Sequence, residues 1–127
     1  MPSLQQGWRA AFWGALMLAT WGALRPTSGA DWFPEQDKVQ HLATYACLYL
    51  AGRPAFPEAG WRLPAALLAY GVGIELVQSL TPTRTMSFAD VVADACGIAL
   101  GVPLLGAAQR RWPKLWRVER RSGSGWR

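Results

Sequence analysis

The chain has 127 residues, 51% of them apolar and only 17% charged, with a formal net charge of +5. Soluble domains average about 25% charged residues. Here charges and tryptophans gather between apolar runs instead of along helix faces, which counts against one compact water-soluble domain. Cys47 and Cys96 sit in separate apolar runs with no C-x-x-C spacing, so a disulfide framework is excluded and both read as small packing residues.

Four apolar stretches follow one another: Ala10 to Leu24, Val39 to Gly52, Leu63 to Leu80 interrupted by Glu75, and Phe88 to Ala108 interrupted by Asp90 and Asp94. A helix crossing a bilayer takes about 17 to 25 residues, which the third and fourth runs meet directly. The first reaches that length if Gly7 and Trp8 join it while Arg9 snorkels, and the second if Asp37 and Arg53 occupy the headgroup layers. Asp37 with Gln40 and Ser87 with Asp90 have capping-box spacing, Pro64 suits a first turn, and Arg53-Pro54 closes the second run. The expected fold is all-α: a membrane-embedded bundle of four helices over residues 1–109, with a basic tail over 110–127. Arg9, the first apolar run and Ser28-Gly29-Ala30 also have the build of a secretory signal, although Arg25-Pro26 is an awkward flank for cleavage. Under either reading the second helix enters from the outer face.

Seven of the thirteen basic residues follow Ala108. Because Lys and Arg beside short loops resist translocation, the tail is expected to be cytoplasmic, and with four spans so are the amino terminus and the loop carrying Arg53 and Arg62. Trp8, Trp61, Trp112 and Trp116 then fall near the inner interface, and Trp21 and Trp32 near the outer one. The chain is thus expected to be a multi-pass protein of the bacterial cytoplasmic membrane.

On this topology the ionisable residues collect in the outer half of the membrane. Asp37, Lys38 and His41 open the second helix, Glu75 and Gln78 lie near the end of the third, Arg84 is in the next loop, and Ser87, Asp90 and Asp94 open the fourth. At about 1.5 Å of rise per residue, His41, Glu75 and Asp94 lie within about 10 Å of their helix ends, so three helices bring polar groups to similar depth. An acidic group facing lipid costs around 2.5 to 3.5 kcal/mol, so Glu75 and Asp94 are expected to face each other, a cation or a wet cavity. Asp90, Asp94, Gly97 and Gly101 share a helical stripe, and Gly97-x-x-x-Gly101 offers a close-packing face for a homo-oligomer. Plainer roles stand beside these: helix capping for Asp37, Ser87 and Asp90, an interhelical hydrogen bond for His41, charge neutralisation for Arg84, and a hydrogen-bonded carboxyl pair for Glu75 and Asp94.

These residues resemble the VanZ-like family of small bacterial membrane proteins. The likeness is carried by Asp37-Lys38-x-x-His41 with Tyr45, Glu75-x-x-Gln78, Pro82-x-Arg84-x-x-Ser87-x-x-Asp90 and Asp94-x-x-Gly97-x-x-x-Gly101, and covers about half the chain. Asp94 departs from the family pattern, which usually carries Asn there. The resemblance implies a cell-envelope role, the family being named for a protein of resistance to teicoplanin-type glycopeptides.

Three functions fit this layer. The first is a binding protein without cofactor whose outer pocket holds a lipid headgroup or envelope precursor, with Lys38 and Arg84 on phosphate and Glu75, Gln78 and Asp94 orienting other groups. The second is a metal-dependent hydrolase or transferase acting on a lipid-linked phosphate or ester. In it His41, Glu75 and Asp94 are the catalytic candidates and the carboxylates bind a divalent cation. No H-E-x-x-H or G-x-S-x-G accompanies them, which ranks it below the first. An ion-coupled transporter is third, since four helices leave little room for a path. The basic tail, with Trp112, Leu115 and Trp116, suits anionic lipid and not nucleic acid, because cytoplasmic retention of positive charge already accounts for the high pI.

Overall fold

A computed structural model describes residues 3–24, 36–80 and 88–116. The expected cleavage segment Ser28-Gly29-Ala30, Arg25, Trp32, Arg84, Ser87 and the tail past Trp116 lie outside these residues.

Among the described residues the chain is all-helical: α1 (Leu4–Leu24), α2 (Gln36–Ala55), α3 (Arg62–Ser79), α4 (Phe88–Arg111) and the single turn α5 (Pro113–Trp116). Each of the four apolar runs is the body of one long helix. α1 begins in a reciprocal capping box that the sequence analysis passed over: the Gln6 N–H donates to Ser3 Oγ (3.1 Å) and the Ser3 N–H to Gln6 Oε1 (2.8 Å). Asp37 lies inside the first turn of α2, where its charge suits the positive helix end. α2 runs one residue past Pro54, and the turn to α3 passes through Gly60, whose positive φ of 56° is a conformation glycine adopts without strain. Arg53 pins that turn by donating from Nε to Tyr49 Oη and from Nη1 to the Gly60 carbonyl, both at 3.0 Å. α4 continues to Arg111, two residues past the boundary expected at 109.

Side-chain contacts fix the direction of each helix. At one end Gln5 Nε2 and Arg9 Nε both donate to the Ala55 carbonyl, at 3.3 and 3.1 Å, bringing the start of α1 to the end of α2. Trp8 Nε1 donates to the Leu115 carbonyl at 3.0 Å, and the Trp8 and Trp116 rings lie 4.4 Å apart, so α5 folds back onto α1. At the other end Gln78 Nε2 donates to the Ala23 carbonyl at 2.7 Å, joining the ends of α1 and α3. Successive helices therefore run antiparallel. The core holds Phe12, Tyr45, Leu48, Tyr49, Leu63, Leu67 and Ile98.

α2 and α4 pack closely against each other. A Cβ at Gly97 would collide with the Leu42 carbonyl, and one at Gly101 would lie 2.7 Å from the Tyr49 ring. The small-residue stripe expected to face a second copy is thus covered by α2 of the same chain.

Beside its apolar core the bundle buries several polar side chains and leaves many large apolar ones exposed. Glu75, Gln78, Asp90 and Asp94 are buried, while Trp13, Met17, Leu18, Trp21, Leu76 and Leu104 are exposed, Met17 at 71% and Leu18 at 70%. By length and composition, one helix among the described residues, Phe88–Arg111, is able to cross a membrane; its best window has a mean hydropathy of 1.9 and is only 22% buried.

Candidate functional site

The polar cluster forms at the end of the bundle where α2 and α4 begin and α3 finishes. On α2, Asp37, His41 and Tyr45 recur every four residues and so line one face; Asp90 and Asp94 do the same on α4. α3 adds Glu75 and, four residues earlier, Gly71. Because α2 and α4 meet at the Gly97–Leu42 contact, the two acidic faces are pressed together around the His41 ring.

His41 is the hub. Its Nδ1 lies 2.7 Å from Asp94 Oδ1, and since a carboxylate accepts, the ring N–H donates. Its Nε2 faces three more carboxylate oxygens, Asp37 Oδ1, Glu75 Oε1 and Asp90 Oδ2, each at 3.9 Å. That separation lies beyond hydrogen-bonding range. The Glu75 and Asp94 side chains are each 1% exposed and that of Asp90 10%, whereas Asp37, at 52%, reaches solvent at the rim. Asp90 Oδ1 and Asp94 Oδ2 are shut away from solvent with no hydrogen-bond donor.

Gly71 makes room for this arrangement. A Cβ there would lie 2.6 Å from Asp94 Oδ2 and 3.0 Å from the Tyr45 hydroxyl, so the carboxylate and the phenol close over bare backbone. Gly71 was missed in the sequence analysis, although its place four residues before Glu75 puts it on the same face of α3. A short hydrogen bond between the Thr20 and Tyr70 hydroxyls, which ties α1 to α3, was missed as well.

Two expected members stand apart. Lys38 lines a separate apolar groove between α2 and α4 with Val39, Leu42, Phe88, Val92 and Cys96. One residue beyond Asp37 is a rotation of about 100° on a helix, which carries its amine to a different face. Gln78 uses its amide nitrogen to hold the end of α1, a link between helices. Asp37, His41, Glu75, Asp90 and Asp94 are brought together as expected.

The cluster sets four carboxylates around a single imidazole. At an effective dielectric of about 20, two unit charges 4 Å apart interact by about 4 kcal/mol, so four ionised acids around one imidazolium would repel one another, and the cluster takes up positive charge as protons or as a cation. What the site attracts is positive charge. Asp37, His41 and Asp90 each present a ligand atom within 4.8 Å of the other two, close enough together to share one metal ion. Comparison with known protein families, with curated proteins and with solved structures returns no match.

Proposed function

We propose that this chain is a multi-pass protein of the bacterial cytoplasmic membrane, VanZ-like in kind, with both termini in the cytoplasm. Its acidic cluster is a pocket near the outer face that binds a lipid headgroup or envelope precursor. The observation carrying this reading is a pair of features: acids buried at one end of the bundle and large apolar side chains exposed along the helices. Charge segregation supports it. Arg9, Arg53, Arg62, Arg110, Arg111 and Lys114 belong to the end opposite the acids, as cytoplasmic retention of basic residues requires.

The pocket engages its ligand through positive charge. Phosphate held directly by Lys38, as first expected, does not suit a cluster from which Lys38 is turned away. A metal-dependent hydrolase or transferase ranks second: no described member of the cluster is a Ser, Thr or Cys nucleophile, so its chemistry would run through water.

In intact cells, single cysteines replacing Asp37 and Glu58 in a background lacking Cys47 and Cys96 test the topology. A membrane-impermeant maleimide is expected to label the first and spare the second; the reverse pattern overturns the orientation. The link to glycopeptide resistance is tested by expression in a susceptible bacterium, where the wild-type chain is expected to raise tolerance of teicoplanin and His41→Gln to abolish the gain. Equal susceptibility with and without the chain removes that link.

A further inference from the structure

We infer that the acidic cluster is a binding site for one divalent transition-metal ion, with His41 Nε2 and the Asp37 and Asp90 carboxylates as ligands and Asp94 as the positioning residue behind His41. This deepens the reading of the cluster as a ligand pocket and rests on it.

The orientation of the imidazole is the first argument. When the ring is neutral, donation from Nδ1 to Asp94 leaves the lone pair on Nε2, and a ligand atom of the ring lies within 4.8 Å of carboxylate oxygens of both Asp37 and Asp90. The three ligand atoms of Asp37, His41 and Asp90, all within 4.8 Å of one another, repel one another when unprotonated unless a cation lies between them. A proton on Nε2 would be too far from each oxygen, at 3.9 Å, to form a hydrogen bond. A metal ion spans the gap: two ligand bonds of about 2.0 to 2.2 Å reach up to about 4.4 Å.

The second argument is Asp90. Its side chain is 10% exposed, one oxygen faces His41 Nε2 and the other, Oδ1, has no hydrogen-bond donor. Buried carboxylates are normally paired or bound to metal. The third is the bond behind the ring. A histidine ligand almost always donates its other N–H to a carboxylate or carbonyl, which fixes the tautomer and strengthens the ligating nitrogen. The 2.7 Å contact with Asp94 is that bond. One imidazole with two carboxylates, water completing the coordination, is a set suited to Mn2+, Fe2+ or Zn2+. Asp37, half exposed at the rim, supplies the movable ligand and the way in from solvent.

The test uses the full chain purified in detergent, stripped with EDTA and titrated with Mn2+ by electron paramagnetic resonance. One tightly held Mn2+ per chain is expected, with nitrogen modulation in the spin-echo signal from His41. His41→Gln is expected to abolish the nitrogen modulation. Asp90→Asn and Asp94→Asn are each expected to weaken binding by about 10- to 100-fold, with circular dichroism confirming that the helices remain. Because protons compete for the same ligands, affinity is expected to fall as pH is lowered. Mn2+ uptake no greater than that of His41→Gln overturns the metal site. In the stripped protein, retention of phosphatidylethanolamine that is lost in Asp90→Asn, together with no Mn2+ binding, overturns the metal and leaves the pocket standing. Failure to hold either overturns both.

Discussion

Asp94 is the residue on which most of the cluster turns. Removing one partner of a buried polar pair leaves the other without compensation, at a cost of about 3 to 5 kcal/mol. Asp94→Ala, which strands the His41 ring, is therefore expected to lower the thermal unfolding midpoint in detergent sharply. Asp94→Asn keeps an oxygen where Oδ1 accepts and is expected to cost much less; equal losses in the two variants would mean that packing and not the hydrogen bond matters here. Gly71→Ala is expected to displace the Asp94 carboxylate, since the added methyl would sit 2.6 Å from Oδ2, and to disturb any property that depends on His41. The membership of Asp37, His41, Asp90 and Asp94 was legible because i, i+4 spacing fixes a shared face on each helix. The contact between His41 and Asp94 was not, because spacing does not say how one helix is rotated against its neighbour. The same limit hid the use of Gln78 as a link to α1, whereas the divergence of Lys38 from Asp37 was readable from the step of about 100° between neighbours on a helix.

Among the helices, glycine separates contact from open surface. Gly97→Ala is expected to push α2 from α4 and destabilise the bundle by about 1 to 3 kcal/mol, because the new methyl would meet the Leu42 carbonyl, which belongs to backbone and cannot swing aside. Gly73→Ala, with nothing within 4 Å of the added carbon, is expected to be neutral or stabilising, by up to about 1 kcal/mol of helix propensity. Thermal melts of the two variants side by side check the contrast. The existence and order of the four helices were legible from the apolar runs, whereas their ends were less so: α1 and α2 extend beyond the runs because polar residues such as Gln5, Gln6, Gln36 and Lys38 continue a helix as readily as apolar ones. The return of α5 to α1 left no periodic trace, since the Trp8–Trp116 contact joins distant parts of the sequence. Trp8→Ala is expected to free that turn, at about 0.5 to 1.5 kcal/mol for the ring pair, and to speed tryptic cleavage at Arg111 and Lys114.

For the whole molecule, the two cysteines provide an unmodified probe. Both are exposed, yet both lie along helices whose outer faces are apolar. Thiols react as thiolates and thiolates form in water, so in intact membranes Cys47 and Cys96 are expected to resist a water-soluble maleimide and to react once the protein is unfolded in detergent. Rapid labelling in native membranes would place these faces in an aqueous setting. Composition alone made this contrast between interior and exterior legible; which end of the bundle holds the acids followed from adding the order of the helices.

The clasp of Trp8 on the turn after α4 has a further consequence for engineering. Beginning and end of the described chain are neighbours, so splicing the termini and reopening the backbone beside Glu58 would leave every helix pair intact. A circular permutant of this kind is expected to fold like its parent, and reporter domains attached at the splice would hang well away from His41.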